Sequence, residues 1–296
     1  MVTTNNNPWP SPAEYEFLRQ LVFDRSRIHL GADKKEMVCQ RLQRRLKATR
    51  VGSYQAYCAF LKSPQGQEEW GELIDAISTN VTGFFREAPH FEFLARTALP
   101  QWVEAQHRRP GDIFRVWSAG CSSGEEPYSA AIVLAEFFAR HPECRGEVVA
   151  SDISQRMLQR ARQGIYQIEQ VKLPEPEWMK RYFLKGFGPY QDCCRVKDDL
   201  KKRVAFHHAN LLAPEYPGAP ALDVIFCRNV MIYFDPETQE ELVQRLSRKL
   251  TPGGYLLVGH SESLLGVRHS LSSVCPGVYC LQAPCNREAA PHLAYA

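Results

Sequence analysis

The sequence predicts two folding units in series: an all-helical segment, then an α/β unit on a mostly parallel sheet. Three observations predict this. No strand pattern occurs between residues 12 and 79. From about residue 110, short apolar runs alternate with helical patterns, which is how parallel strands joined by right-handed crossovers read in sequence. At residues 183–196 that rhythm breaks. Gly186, Gly188 and Pro189 crowd a turn-rich stretch that reads as a small inserted hairpin.

The helical unit is expected over 12–80, after a polar, Pro-rich and mobile start at 1–12. A helix is expected from Ala32-Asp33 to Arg50. In it Val38, Leu42 and Leu46 fall four apart and form one apolar stripe. Lys34, Arg41 and Arg45 share another face, with Arg44 and Lys47 beside them, so this helix offers a basic surface. Gly52-Ser53 ends it and caps the next.

The α/β unit is expected over 88–283, with its insert at about 183–200 and a flexible tail at 284–296. Strands are predicted at 113–117, 147–151, 204–207, 223–227, 254–258 and 277–281. Helices are predicted from 125 to 140, from Ser154 onward, and from Pro236 to Leu250.

Composition narrows the function classes. The 296 residues are 44% hydrophobic and 23% charged, which are globular values. A net charge of +3 points to no polyanionic partner for the molecule as a whole. The start MVTTNNNPWPSP lacks the basic-then-apolar pattern of a secretory signal, and no run approaches a membrane span. The expected location is the cytoplasm, where the ten cysteines stay reduced. Without a C-x-x-C pair or paired histidine spacing, no metal site is expected.

Three motifs carry chemistry. S-A-G-C-S-S-G at 118–124 joins the first strand to a helix, and Gly120 and Gly124 let its backbone come close to a ligand. Asp152, ending the second strand, is placed to accept two ribose hydroxyls. The loop is not G-x-G-x-x-G, and Glu125 and Glu126 sit where a pyrophosphate wants bare N–H groups. Both features argue against a dinucleotide and suit a ligand with hydroxyls and positive charge. T-N-V-T-G-F-F-R-E at 79–87 bridges the two units, with Asn80, Thr82 and Arg86 polar and Phe84-Phe85 as anchors. F-C-R-N-V-M-I-Y-F-D at 226–235 ends the fourth strand and places Arg228, Asn229 and Tyr233 at the carboxyl rim of the sheet, where Asn210 also falls.

Together, and with L-T-P-G-G-Y-L-L-V-G-H-S-E at 250–262, these motifs resemble the CheR family of chemotaxis-receptor methyltransferases over about residues 12–282. The resemblance implies a class I S-adenosylmethionine-dependent methyltransferase domain (Rossmann-like, mostly parallel sheet), an N-terminal all-helical domain and a small inserted antiparallel β-subdomain. It implies cofactor contacts from Asn80, Thr82, Arg86, Glu125, Asp152, Asn210, Leu211, Arg228 and Asn229, beside Gly120 of the loop. The reaction implied is protein-glutamate O-methylation, with S-adenosyl-L-homocysteine as product and the cytoplasmic helical bundle of the receptors as partner. The basic helix face would dock on that bundle, and the insert on a receptor C-terminal peptide in those members that use one. The loop departs from the general methyltransferase pattern, with Ser118 and Ser122 replacing an acidic residue and a third glycine.

A glutamate carboxylate is ionised at neutral pH and needs no general base. Arg86 and Tyr233 are the residues expected to line the transfer site and orient it. Three alternatives are an RNA methyltransferase, a silent cofactor-binding module and a nicotinamide dehydrogenase. The first lacks an Asn/Asp-Pro-Pro-aromatic motif after the fourth strand, the intact site residues argue against the silence of the second, and the third lacks the loop. A working monomer that inserts into no membrane and binds no nucleic acid is expected.

Overall fold

The computed structural model describes residues 9–31, 34–78, 80–105, 111–213 and 221–282. The expected tail, most of the expected mobile start, Thr79 and the helix start at Ala32-Asp33 lie outside them.

Four helices build the first unit: α1 (Pro12–Ser26), α2 (Lys35–Thr49), α3 (Tyr54–Lys62) and α4 (Glu69–Ile77). Ser11 and Glu14 form a capping box that fixes the start of α1, and the Ser53 hydroxyl caps α3 as its sequence position implies. Val38 and Leu42 are buried against Leu18, Tyr57 and Leu73 in a separate core. The charged face of α2 differs from expectation. Arg45 pairs with Glu69 through Nε and Nη2 at 2.8 and 2.6 Å, and with Glu72 at 2.8 Å. Arg41 donates to the carbonyls of Ile77 and Ser78 at the end of α4. Both arginines therefore bind α2 to α4, while Arg44 and Lys47 are exposed.

Helices α5 (Ala88–Phe93) and α6 (Leu99–Glu104), joined through one π-helical turn, lead into the sheet unit. There follow β1 (Ile113–Ala119), α7 (Glu125–Phe138), β2 (Arg145–Asp152), α8 (Gln155–Gln163) and β3 (Ile165–Gln167). Next come α9 (Glu177–Tyr182), β4 (Phe183–Lys185), β5 (Cys193–Val196), α10 (Asp198–Lys201) and β6 (Val204–His208). The chain then forms β7 (Leu222–Cys227), α11 (Pro236–Ser247), β8 (Leu250–Val258), β9 (Ser272–Cys275) and β10 (Val278–Cys280).

The large sheet runs β6-β2-β1-β7-β8-β10-β9. The pairs from β6 through β8 are parallel, and β10 returns antiparallel beside β8. This is the mostly parallel sheet that the resemblance implies. Alternate residues of each strand face opposite layers, as a two-residue period requires. Val116, Phe226 and Leu257 pack with α7 on one face, and Trp117, Ile225 and Leu256 pack with α11 on the other. Strand β7 is buried along its whole length.

The small sheet has three strands, in the order β3-β5-β4. The predicted hairpin is its β4–β5 pair. The third strand, β3, comes from before α9, so the sheet reaches back to Ile165. Strand β9 was not predicted either. Leu250, expected to end a helix, is buried and starts β8 opposite Leu222.

The Arg45→Ala substitution should lower the stability of the helical unit. It strands Glu69, which is 7% exposed and otherwise held by the Tyr57 hydroxyl. Arg45 keeps some solvent contact, so the loss should be about 2–3 kcal/mol, somewhat less than for a fully buried pair. Urea unfolding followed by far-UV circular dichroism measures it.

Candidate functional site

The strand order reverses between β1 and β7, since the chain leaves β1 toward β2 and β6 and returns to build β7 and β8 on the other side. Open α/β sheets present a crevice at the carboxyl ends of the strands at such a point. The loops after β1 and β7 meet there. Gly120 has φ +87°, and a Cβ on it would come within 2.5 Å of the Val230 methyl. Glycine is thus required both by the left-handed backbone and by the approach of the β7 loop.

Above this crevice lies a cavity of about 210 Å³, closed on one side by the helical unit. Its wall takes in Asn80, Thr82 and Arg86 from the linker, Gly120 and Asp152 from the strand ends, and Asn210 and Leu211 after β6. Arg228, Asn229 and Tyr233 come from the loop after β7, and Lys34 from the start of α2. Two hydrogen bonds seat the helical unit over this rim: Asn210 Nδ2 donates to the Arg25 carbonyl at 3.0 Å, and the His29 N–H donates to the Tyr233 carbonyl at 2.8 Å. Lys34 Nζ lies 5.5 Å from the centre of the Tyr233 ring, so this lysine belongs to the cavity as well as to the basic helix.

Glu125 is partly buried at the start of α7. Its carboxylate accepts from the Ser123 hydroxyl at 2.8 Å, and it is not among the residues lining the cavity. The neighbouring Glu126 lines it instead. Glu126 Oε1 accepts from the Ser118 hydroxyl at 2.7 Å, and Oε2 pairs with Arg228 Nη1 at 3.0 Å. Burial pushes the Glu126 carboxyl up, with Arg228 pulling against it.

Arg228, its side chain 1% exposed, also pairs with Glu87 Oε2 at 3.1 Å and donates to the Arg86 carbonyl. Burial opposes ionisation of Glu87. The guanidinium's charge and hydrogen bond, with His260, still hold that carboxyl below its ordinary value. Sequence reasoning missed this role of Glu87, although the residue stands beside Arg86 in the linker motif. Glu87, His90 and His260 bring possible metal-ligating atoms within 4.8 Å of one another. Arg228 occupies the same Glu87 oxygen, and its fixed positive charge works against a cation there.

The linker is anchored as expected. Phe84 packs edge-on against Tyr166 and Phe183 with ring centres 4.9 and 5.5 Å away, and the Phe85 N–H donates to the Ser129 hydroxyl at 3.0 Å. Arg86 stays exposed, its guanidinium donating to the Val81 carbonyl. Among the described residues six non-glycines have positive φ. Two, Arg27 and Arg50, end helices, while Phe85, Glu87, Ser122 and Asn229 all belong to the linker and the two site loops. Backbone strain of this kind persists where surrounding contacts over-determine it.

Asp152 ends β2 and is 8% exposed. Its Oδ2 accepts from the Ser122 N–H at 2.7 Å and its Oδ1 from the Ser154 N–H at 2.8 Å, which aims the carboxylate along the cavity wall. Burial raises its pKa, with those two N–H bonds opposing. A raised carboxyl takes up its proton at a higher pH than usual as the solution is acidified. The affinity for S-adenosylhomocysteine, the product that the resemblance implies, should therefore begin to fall at a pH above the ordinary aspartate range, because protonation removes an acceptor and a charge from the wall. Titration calorimetry measures this. Asp152→Asn should bind at least tenfold more weakly at neutral pH and lose most of the pH dependence.

The family model described as "CheR methyltransferase, all-alpha domain" matches residues 13–78, and "CheR methyltransferase, SAM binding domain" matches 80–278. The "Chemotaxis protein methyltransferase" of Salmonella typhimurium is 42% identical over 271 residues, covering 92% of this chain and 91% of its own. That of Escherichia coli is 43% identical over 253 residues, 86% and 85% of the two chains. "Chemotaxis protein methyltransferase 2" of Pseudomonas aeruginosa is 40% identical over 266 residues, 90% and 92%. Two matched domains, and relatives aligned along nearly their whole length, agree with the sheet order and the cavity at its switch point: the chain belongs to the CheR methyltransferase family, and its sheet domain is an S-adenosylmethionine-binding domain.

Proposed function

We propose that this protein transfers the methyl group of S-adenosylmethionine to glutamate side chains of chemotaxis receptors in the cytoplasm, giving glutamate methyl esters. The observation that carries the reading is the chemistry of the cavity wall. Among the described residues lining it there is no histidine or cysteine. Its two carboxyl groups are already engaged, Asp152 with backbone N–H groups and Glu126 with Arg228 and Ser118. Such a wall suits an acceptor that needs no general base, and a carboxylate is ionised without one. The names of the relatives point to the same chemotactic role.

The cavity also suits the methyl donor. Asp152 would accept from ribose hydroxyls, and its carboxylate favours a ligand carrying positive charge beside it. S-adenosylmethionine supplies a methyl group on a cationic sulfur, open to attack by an oxygen nucleophile. Arg86, exposed at the mouth, would pair with the acceptor carboxylate, and the Tyr233 hydroxyl would orient it. Lys34 adds positive charge on the same side. Transfer cancels one positive and one negative charge, so excluding water favours it, and no proton has to move. Holding the two reactants in line can contribute roughly 7–11 kcal/mol.

The docking surface proposed for the receptor bundle is narrower than the sequence suggested. Arg44 and Lys47 are the exposed cations of α2, whereas Arg41 and Arg45 have partners within the helical unit. The small sheet exposes Phe187 and Tyr190 near β4 and β5, which would receive a receptor tail peptide.

The central test incubates the protein with methyl-labelled S-adenosylmethionine and receptor cytoplasmic fragments, with and without their tails. Label released by mild base is expected. Tight cofactor binding without such label would leave a silent binding module as the better reading. Reversing Arg44 and Lys47 to Glu should cut receptor methylation at least tenfold and leave S-adenosylhomocysteine affinity unchanged. Methylation by the parent protein should also fall steeply with added salt.

A further inference from the structure

We propose that Glu262 is the positioning residue of the active-site loop, the carboxylate on which Asn229 and Tyr233 depend for their placement. Strand β7 ends at Cys227 and α11 starts at Pro236, so the loop between them has to hold its shape without a ladder or a long helix. Gln239 Nε2 and the His29 N–H hold carbonyls of the loop, and Glu262, in the turn after β8, takes its N–H groups. Its Oε2 accepts from the N–H groups of Gly259 and Asn229, both at 2.7 Å. Its Oε1 accepts from Met231 at 2.7 Å and from Ile232 at 3.3 Å. One carboxylate thus gathers four backbone donors, three of them from the loop.

The surroundings fit this use. Asn229 sits at φ +59°, a left-handed conformation that asparagine adopts more readily than most residues, and Glu262 takes its N–H there. A Cβ on Gly259 would come within 2.6 Å of Asn229 Nδ2 and 2.9 Å of Glu262 Oε2, so a glycine leaves room for the carboxylate to reach across. The braced loop carries Asn229 and Tyr233 into the cavity and turns through a 3-10 segment, Met231–Tyr233. Glu262 is not among the residues lining that cavity, so it acts through the loop. Small misplacements in a transfer site cost large factors in rate, on the order of 10²-fold for about 1 Å.

The test compares Glu262→Gln and Glu262→Asp with the parent protein by three readouts: S-adenosylhomocysteine affinity, kcat and KM for a receptor fragment per folded molecule, and backbone hydrogen exchange. The glutamine places an N–H donor against one pair of backbone N–H groups and cannot serve both. It is expected to weaken S-adenosylhomocysteine binding at least fivefold and lower kcat at least tenfold, with KM for the receptor fragment changed less than threefold. Exchange at Asn229 and Met231 should quicken at least tenfold. The aspartate keeps the charge with a shorter reach and should fall between the two; it also serves as the test if the glutamine variant does not fold. A folded variant with affinity and kcat both within twofold of the parent overturns the proposal, even if its melting temperature drops. The kcat arm rests on the proposed methylation, whereas the affinity arm does not. A parent protein that binds S-adenosylhomocysteine but labels no receptor fragment would defeat the functional reading and leave Glu262 to be judged on affinity and exchange.

Discussion

The site is organised around one buried cation. Arg228 follows β7, Glu126 opens α7, and Glu87 closes the linker from the helical unit, so the two ion pairs at 3.0 and 3.1 Å join three distant parts of the chain at one guanidinium. The Phe91 and Phe226 rings lie 5.6 and 5.9 Å from it. A planar fork of donors can serve two carboxylates and a carbonyl together, whereas a lysine could not match that geometry. The charge also sets the states of its neighbours. Burial first, and Arg228 second, bring the His90 pKa down to about 4, so that imidazole is neutral in the folded protein at ordinary pH. Glu87 stays ionised for the opposite reason, because the same guanidinium stabilises its negative form. A pair this deeply buried is weak evidence of net stability. What it fixes is geometry: one guanidinium holds the linker, the helix start and the strand end together.

That constraint explains which parts of the site were legible in the sequence. Strands with an apolar run or strict alternation could be read directly, such as the wholly buried β7 and the Val116/Trp117 alternation of β1. Strand β9, Ser-Ser-Val-Cys, is mostly exposed and pairs at the sheet edge, and β3 has only three residues, so neither carries a periodic signal. Residues set by chain position at the strand ends, such as Asp152, Asn229 and Gly120, reach the cavity as the motif order implies. Glu125 and Glu126 could not be told apart that way. Which one faces inward is set by the rotation of α7 after Gly124 at φ +99°, and adjacency in sequence says nothing of rotation. The basic face of α2 misled for a related reason. Helical periodicity places Arg41 and Arg45 together, but it cannot reveal that Glu69 and the end of α4 lie opposite them.

Strain and support are distributed in the same pattern. The non-glycine residues held at positive φ in the site, Phe85, Glu87, Ser122 and Asn229, each have a polar brace that is remote in sequence. Phe85 is held by the Ser129 hydroxyl, Glu87 by Arg228, Ser122 by Asp152, and Asn229 by Glu262. Strained backbone at a ligand site is tolerated when the rest of the fold over-determines it. Here the braces come from α7, from β2 and from the loops after β7 and β8, so the completed sheet is what makes the loops tenable.

On the proposed reading, the charge layout does more than bind. Of the two carboxyl groups in the wall, Glu126 is paired with the buried Arg228, and Asp152 is left to meet a cationic donor, while Arg86 comes from the linker and Lys34 from the start of α2. A cationic donor beside Asp152 would leave an anionic acceptor to Arg86 and Lys34. Attraction between unlike charges strengthens as water is excluded, and closure of the acceptor over the mouth would exclude it. The chemistry then removes the sulfonium charge and the acceptor's carboxylate charge together, while the donor's ammonium and carboxylate remain, so the reacting atoms lose their charges without any proton having to move.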